Sequence, residues 1–192
     1  MTTRTDDSYS RPIESRADLL SEFEGGEKAR EDWRIGTEHE KFVYRMADHR
    51  TPSYDEPGGI RDLLTGLTEF GWEPVLENGN IIALKGEDGN VSLAPAGQFE
   101  LSGAALTNLH QTCSEAARHL EQCKAVGERL GLGFLGTGMW PDKTREELPR
   151  MPKGRSDIML GYMPKVGSLG PDMMLRPCTI QVNLDYASEA DM

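Results

Sequence analysis

An α+β fold, with a curved, mainly antiparallel sheet and helices packed on its outer face, is the architecture this 192-residue sequence predicts, and three observations carry it. Apolar and polar residues alternate with a period of two over residues 33–46, 97–103 and 178–186, which reads as strand. The same period runs through residues 72–101, where Asn78-Gly79 and Asp88-Gly89 supply tight-turn dipeptides and so an antiparallel meander. Elsewhere the spacing switches to three and four, marking helices with one apolar stripe.

In chain order, residues 1–10 are polar and without periodicity, and are expected to be a disordered leader. Residues 12–23 predict a short helix with Ser15 as its N-cap, ended by Gly25-Gly26. After the strand at 33–46, residues 48–53 are turn material. Tyr54-Asp55-Glu56-Pro57 resembles a helix start, and Ile60, Leu63, Leu64, Leu67 and Phe70 follow at helical spacing before Gly71 closes the run. Strands are predicted at residues 81–85 and 91–93, with Pro95 and Gly97 marking a bend. Residues 107–130 are the clearest helix, with Leu109, Cys113, Ala116, Ala117, Leu120, Lys124 and Gly127 on its stripe and Gly131 as its stop. Residues 133–138 predict a short buried strand. A capping box at Thr144-Arg145-Glu146-Glu147 predicts a short helix before Pro149, and residues 156–163 another, ended by Pro164. Ser188 reads as an N-cap opening a helix just as the sequence stops, the mark of the N-terminal piece of a longer protein.

The net charge of −11 argues against a nucleic-acid partner and requires that any anionic substrate be met by locally placed cations. No apolar run approaches the roughly 20 residues needed to span a bilayer, and no signal-peptide core is present, so a cytoplasmic protein without membrane contact is expected. Cys113, Cys123 and Cys178 have neither disulfide nor zinc spacing and are expected to be small buried or half-buried hydrophobes. His110 and His119 are expected at the surface or an interface.

The chemistry concentrates on strand faces. Glu38 and Glu40 point the same way, about 7 Å apart at a rise of about 3.3 Å per residue. A hard divalent cation would relieve their repulsion, although a Glu-x-Glu on a solvated strand face is the plainer alternative. Gln98, Glu100 and Ser102 share a face of a second strand, and Thr179, Gln181, Asn183 and Asp185 a face of a third. If the three strands share one sheet, its polar side is a site. The irregular segment 139–177, with Lys153, Arg155, Lys165 and Arg176, is placed to cover that side. Arg155 is the first candidate for gripping a substrate carboxylate, against the alternative of an ordinary surface cation.

Seven collinear motifs extend this picture: Ile35-Gly-Thr-Glu-His-Glu-Lys-Phe42, Pro95-Ala-Gly-Gln-Phe-Glu-Leu-Ser-Gly103, Leu109-His-Gln-Thr-Cys113, Met151-Pro-Lys-Gly-Arg155, Tyr162-Met-Pro-Lys-Val-Gly167, Asp172-Met-Met-Leu-Arg176 and Gln181-Val-Asn-Leu-Asp185. Together the sequence resembles the glutamate–cysteine ligases of the plant and α-proteobacterial type. Ala94-Pro-Ala-Gly97 and Arg176-Pro-Cys178 depart slightly from the plant pattern and remove no proposed ligand. The resemblance implies a glutamine-synthetase-like catalytic fold, incomplete at the C-terminus. It makes residues 1–32 a leader and helix, and 33–192 the N-terminal part of a single catalytic domain that continues beyond this chain. It implies ATP as substrate with Mg²⁺, and joining of L-glutamate to L-cysteine through a γ-glutamyl phosphate, the first step of glutathione synthesis. Metal binding would fall to Glu38, Glu40 and Glu100, and substrate contacts to Arg155, Gln181 and Asn183, with Lys153 and Arg176 in reserve. Alternatives are a related ligase with another amine acceptor, and a non-catalytic amino-acid or metal-binding module. The chain alone is expected to be inactive.

Overall fold

The computed structural model describes residues 12–87 and 89–192. The expected leader and the Asp88 half of the Asp88-Gly89 turn lie outside these residues. Helix α1 (Arg16–Glu24) opens with the Ser15–Asp18 capping box, each side chain accepting from the other's backbone N–H. Strand β1 (Ile35–Arg45) follows. Helix α2 (Ile60–Leu67) starts later than the sequence suggests, at Gly59 rather than Tyr54, because Tyr54 is drawn into the core and Glu56 into an ion pair. Ile60, Leu63, Leu64 and Leu67 are buried as expected, whereas Phe70 falls in the turn that follows and is exposed, and Gly71 ends that turn at φ +89°.

Strands β2 (Glu73–Glu77), β3 (Asn80–Lys85), β4 (Asn90–Leu93) and β5 (Phe99–Ser102) form the meander. Asn78 and Gly79 both take positive φ, as the tight β2–β3 turn demands. Helix α3 (Leu109–Leu130) is capped by Asn108 and stopped by Gly131, and leads into β6 (Leu132–Leu135), shorter than expected. Helix α4 (Gly154–Val166) runs past Pro164, and α5 (Gly170–Leu175) was not foreseen. Strand β7 (Ile180–Leu184) comes last.

Two expected helices are absent. Thr144 and Glu147 do form the capping contacts, the Glu147 carboxylate accepting from the Thr144 N–H at 2.8 Å, but Pro149 follows too soon for a helix to propagate. Ser188 begins a turn only, its carbonyl accepting from the Asp191 and Met192 N–H groups.

The sheet runs β2-β3-β4-β5-β1-β6, every neighbour antiparallel, and β7 also pairs with β1. β1 therefore meets β5 on one side, while β7 and β6 succeed each other along the other. One sheet face buries Val43, Leu84, Val91, Leu93, Phe99 and Leu101 against α2 and α3. The opposite face carries a second core of Phe42, Trp140, Leu148, Met174, Leu175 and Cys178, so residues 139–178 do cover the polar side of the sheet.

The buried seam of α3 is rotated about one position from expectation. His119, Cys123, Val126 and Gly127 face the sheet, whereas Leu109, Cys113, Ala117 and Lys124 are exposed. His119 is thus interior, 2 % exposed and stacked on Phe99, and burial, then the nearby Lys41 charge, push its pKa down to about 3. The helix turns this way because the small Gly66 on α2 admits Val126, fixing the α2–α3 approach.

Glu56 shows what moved the start of α2. Its carboxylate accepts from Arg45 at 2.6 Å and Arg50 at 2.8 Å. Burial acts to raise its pKa, but these donors prevail and hold it at about 2, against an ordinary 4.5. Glu56→Gln is expected to cost about 1–2 kcal/mol at neutral pH, a partly exposed pair being screened by water. Since the folded value is depressed, this contribution is complete above pH 4.5 and fades as pH falls toward 2; urea melts across that range measure it.

Candidate active site

Register places the acidic residues together. Glu40 lies directly opposite Glu100 across the β1–β5 pair, and Glu38 lies opposite Ser102 on one side and Gln181 on the other. Directly paired residues share a sheet face with Cβ atoms about 5 Å apart. The three glutamates therefore occupy one patch on the face away from α2 and α3, because alternation in β5 sends Phe99 and Leu101 into the helix-side core.

The patch is the floor of a cavity of about 380 Å³ whose lining includes Glu38, Glu40, Glu100, Lys153, Arg155 and Gln181. Residues 93–95 and α4 and α5, with Met159, Met173 and Met174, form its walls. Gln98 ties this cover to the sheet: its amide donates to the carbonyls of Met174, Leu175 and Pro177, at 3.3, 3.3 and 2.9 Å, while its oxygen accepts from the Ala96 N–H. The sequence placed Gln98 on the polar face, but its role as tether depends on a partner 76–79 residues away.

Glu100 is 3 % exposed. Ser102 donates to one of its oxygens at 2.8 Å and Ser92 to the other at 3.3 Å, which orients the carboxylate. Glu40 accepts from the Thr179 N–H at 2.7 Å. Burial raises the Glu40 carboxyl above its ordinary value, Thr179 opposes this, and the neighbouring Glu100 and Glu38 charges add to the rise. Lys153 stands across the cavity with its ammonium on the Leu93 carbonyl at 2.7 Å; burial lowers its pKa, with Glu100 pulling the other way.

Two predicted substrate residues stand apart from the cavity lining. Asn183, opposite Gly36 on β7, accepts from the Gln181 amide at 2.9 Å at the exposed sheet edge. Arg176 turns away, donating to the Lys143 carbonyl at 3.1 Å and pairing with Asp172 at 3.4 Å. Its sequence position beside the Cys178 strand gave no sign of this, since the Lys143 carbonyl that accepts from it lies 33 residues away.

Among the described residues no group of three or more His, Cys, Asp or Glu side chains is gathered tightly enough to cage a metal ion. The donor chemistry nevertheless fits Mg²⁺. Three carboxylates share the cavity floor, one of them raised in pKa by burial and further by the charges of the other two, and Mg²⁺ takes only a few carboxylates while keeping waters and phosphates.

An antiparallel sheet presenting clustered carboxylates beneath a lid that carries Lys153 and Arg155 defines a protein built to hold charged small molecules. Residues 34–192 match the family model described as glutamate-cysteine ligase family 2 (GCS2), and the chain belongs to that family. It is 56 % identical over 179 residues to the chloroplastic glutamate–cysteine ligase of Brassica juncea, covering 93 % of this chain and 34 % of that protein. It is 55 % identical to the chloroplastic enzyme of Arabidopsis thaliana and 54 % to glutamate–cysteine ligase B of Oryza sativa subsp. japonica, covering 34 % and 36 % of them. The chain spans about a third of the length of the curated relatives it matches. Their names overturn the cytoplasmic expectation, since these relatives are chloroplastic enzymes. No helix among the described residues is long and apolar enough to cross a membrane.

Proposed function

We propose that this chain supplies part of the active site of an ATP-dependent glutamate–cysteine ligase, on a sheet related to that of the glutamine synthetase catalytic domain. The observation that carries the proposal is the joining of Glu38, Glu40, Glu100, Lys153 and Arg155 around one cavity in a member of the glutamate–cysteine ligase family. In the reaction, a γ-carboxylate oxygen of glutamate attacks the terminal phosphorus of ATP, and ADP leaves. The amine of cysteine then attacks the γ-glutamyl phosphate, a C–N bond forms, and phosphate and a proton are released.

Phosphoryl transfer depends on alignment and charge neutralisation, which a rigid sheet provides. Glu38, Glu40 and Glu100 would hold Mg²⁺, which when bound neutralises charge on the phosphoryl group. The Ser102 and Ser92 hydroxyls keep the Glu100 carboxylate aimed into the cavity. Lys153, fixed by the Leu93 carbonyl, places positive charge opposite, and Arg155 anchors a substrate carboxylate from the lid.

The deciding experiment assays ADP release by the complete ligase polypeptide with glutamate and a panel of amines. Cysteine is expected to be preferred; indifference to it overturns the proposal. Arg155→Ala is expected to raise KM for glutamate by about 10- to 100-fold with a smaller change in kcat, the pattern of a lost ground-state anchor. A fall in kcat alone would remove Arg155 from substrate binding.

A further inference from the structure

The reverse side of β1 carries chemistry of its own. Thr37 Oγ1, His39 Nε2 and Glu115 Oε2 are closed to solvent and find no hydrogen-bond partner among the described residues. They are neighbours. Thr37 and His39 stand two apart on β1 and so share the face turned toward α3. Glu115 reaches down from α3, one oxygen accepting from the Ala104 N–H at 2.8 Å. Its other oxygen fills the space that a Cβ on Gly103 would need, a point 3.1 Å from the Thr37 carbonyl, which itself accepts from the Gly103 N–H at 2.7 Å.

Three buried polar atoms left unpaired in one place would be costly, and buried water is the usual remedy where two to four partners converge. We propose that a single water molecule bridges Thr37 Oγ1, His39 Nε2 and Glu115 Oε2, and that this bridge holds the β1 backbone from which Glu38 and Glu40 project. The water donates to the Glu115 carboxylate and to the ring nitrogen of neutral His39, and accepts from the Thr37 hydroxyl. Each partner's donor or acceptor capacity is thereby used. Thr37, His39 and Glu115 are positioning residues; their weight in catalysis rests on the ligase reading, whereas the water site itself does not.

A high-resolution crystal structure of the chain is expected to show one ordered water within hydrogen-bond reach of all three atoms. Direct contact among them without water overturns the site. Amide hydrogen exchange by NMR tests the positioning role. Thr37→Val, which removes the hydroxyl at constant volume, is expected to speed exchange at Glu38 and Glu40 by about fivefold to tenfold, with Val91 unchanged and Thr37→Ser restoring the wild-type rate. Equal rates in wild type and Thr37→Val overturn it. Should Thr37→Val fail to fold, Glu115→Gln, which keeps an acceptor for Ala104 but turns a donor toward the water, is expected to give the same acceleration, and no change there overturns the role. If the complete ligase proves indifferent to cysteine, the functional reading falls while these exchange results still stand or fall alone.

Discussion

Glu100→Gln in the complete ligase is expected to lower turnover by about two to three orders of magnitude without loss of the folded state. Glutamine matches glutamate in shape, keeps a carbonyl to accept from Ser102, and gains an amide that donates to the Ser92 hydroxyl, so the local bonds survive. What disappears is a charge. The cross-strand pair of Glu100 and Glu40 is one of the reasons the Glu40 carboxyl is raised, after burial. An acid whose folded pKa is raised costs stability as pH climbs from its unfolded value, 4.5, through the folded one. Relief of Glu40 favours the variant at neutral pH, but Glu100's own carboxyl, despite burial, is held below its ordinary value with the help of its serine donors, and the stability this gives above pH 4.5 is lost. The opposing contributions are expected to leave the thermal midpoint at neutral pH close to that of the wild type. Steady-state ADP release and thermal melts of the same variant measure both sides. Turnover within about threefold of wild type would detach Glu100 from the reaction.

Phe42→Ala is expected to be the most destabilising single change on β1, at about 3–5 kcal/mol, against a total of about 5–15 for a domain. Phe42 is 1 % exposed and stacks on Trp140 with ring centroids 4.5 Å apart. It stands on the same strand face as Glu38 and Glu40, where polar floor gives way to the core beneath the lid. Its loss would loosen the lid residues Leu148, Met174 and Leu175, which share that core. Urea midpoints measure the change, and Phe42→Leu is expected to cost less than half as much. A loss under about 1 kcal/mol would mean that the second core collapses around the cavity.

Much of the site was legible in the sequence because a period of two is a strict rule. Glu38, Glu40, Glu100 and Gln181 could be assigned to polar strand faces from spacing alone, and backbone pairing then aligned them. The helix-side stripe of α2 was equally legible, its three buried leucines and one isoleucine falling at three-four spacing. What sequence could not reveal depended on distant partners. His119 looks like a surface residue until Phe99 stacks on it, and Arg176 looks available until the Lys143 carbonyl, 33 residues away, engages it. Glu56 looked like a first-turn acid, but two arginines from β1 and the following loop claim it. In residues 139–178 the glycines and prolines erase periodicity, so the lid's place is explained by contacts with the sheet, among them Gln98's bonds, the Lys153–Leu93 bond and the core around Phe42.

β1 is eleven residues long and bordered by three strands, with carboxylates along one side and Thr37, His39 and Val43 along the other. Gaining or losing one codon between positions 35 and 45 would exchange those two sets for every residue on one side of the change, turning groups of the carboxylate face toward the helix-side core and the reverse. Inheritance can lengthen or shorten the neighbouring turns, but the number of amino acids in this strand is held fixed by arithmetic, and a drift in it would erase chemistry and folding in one step.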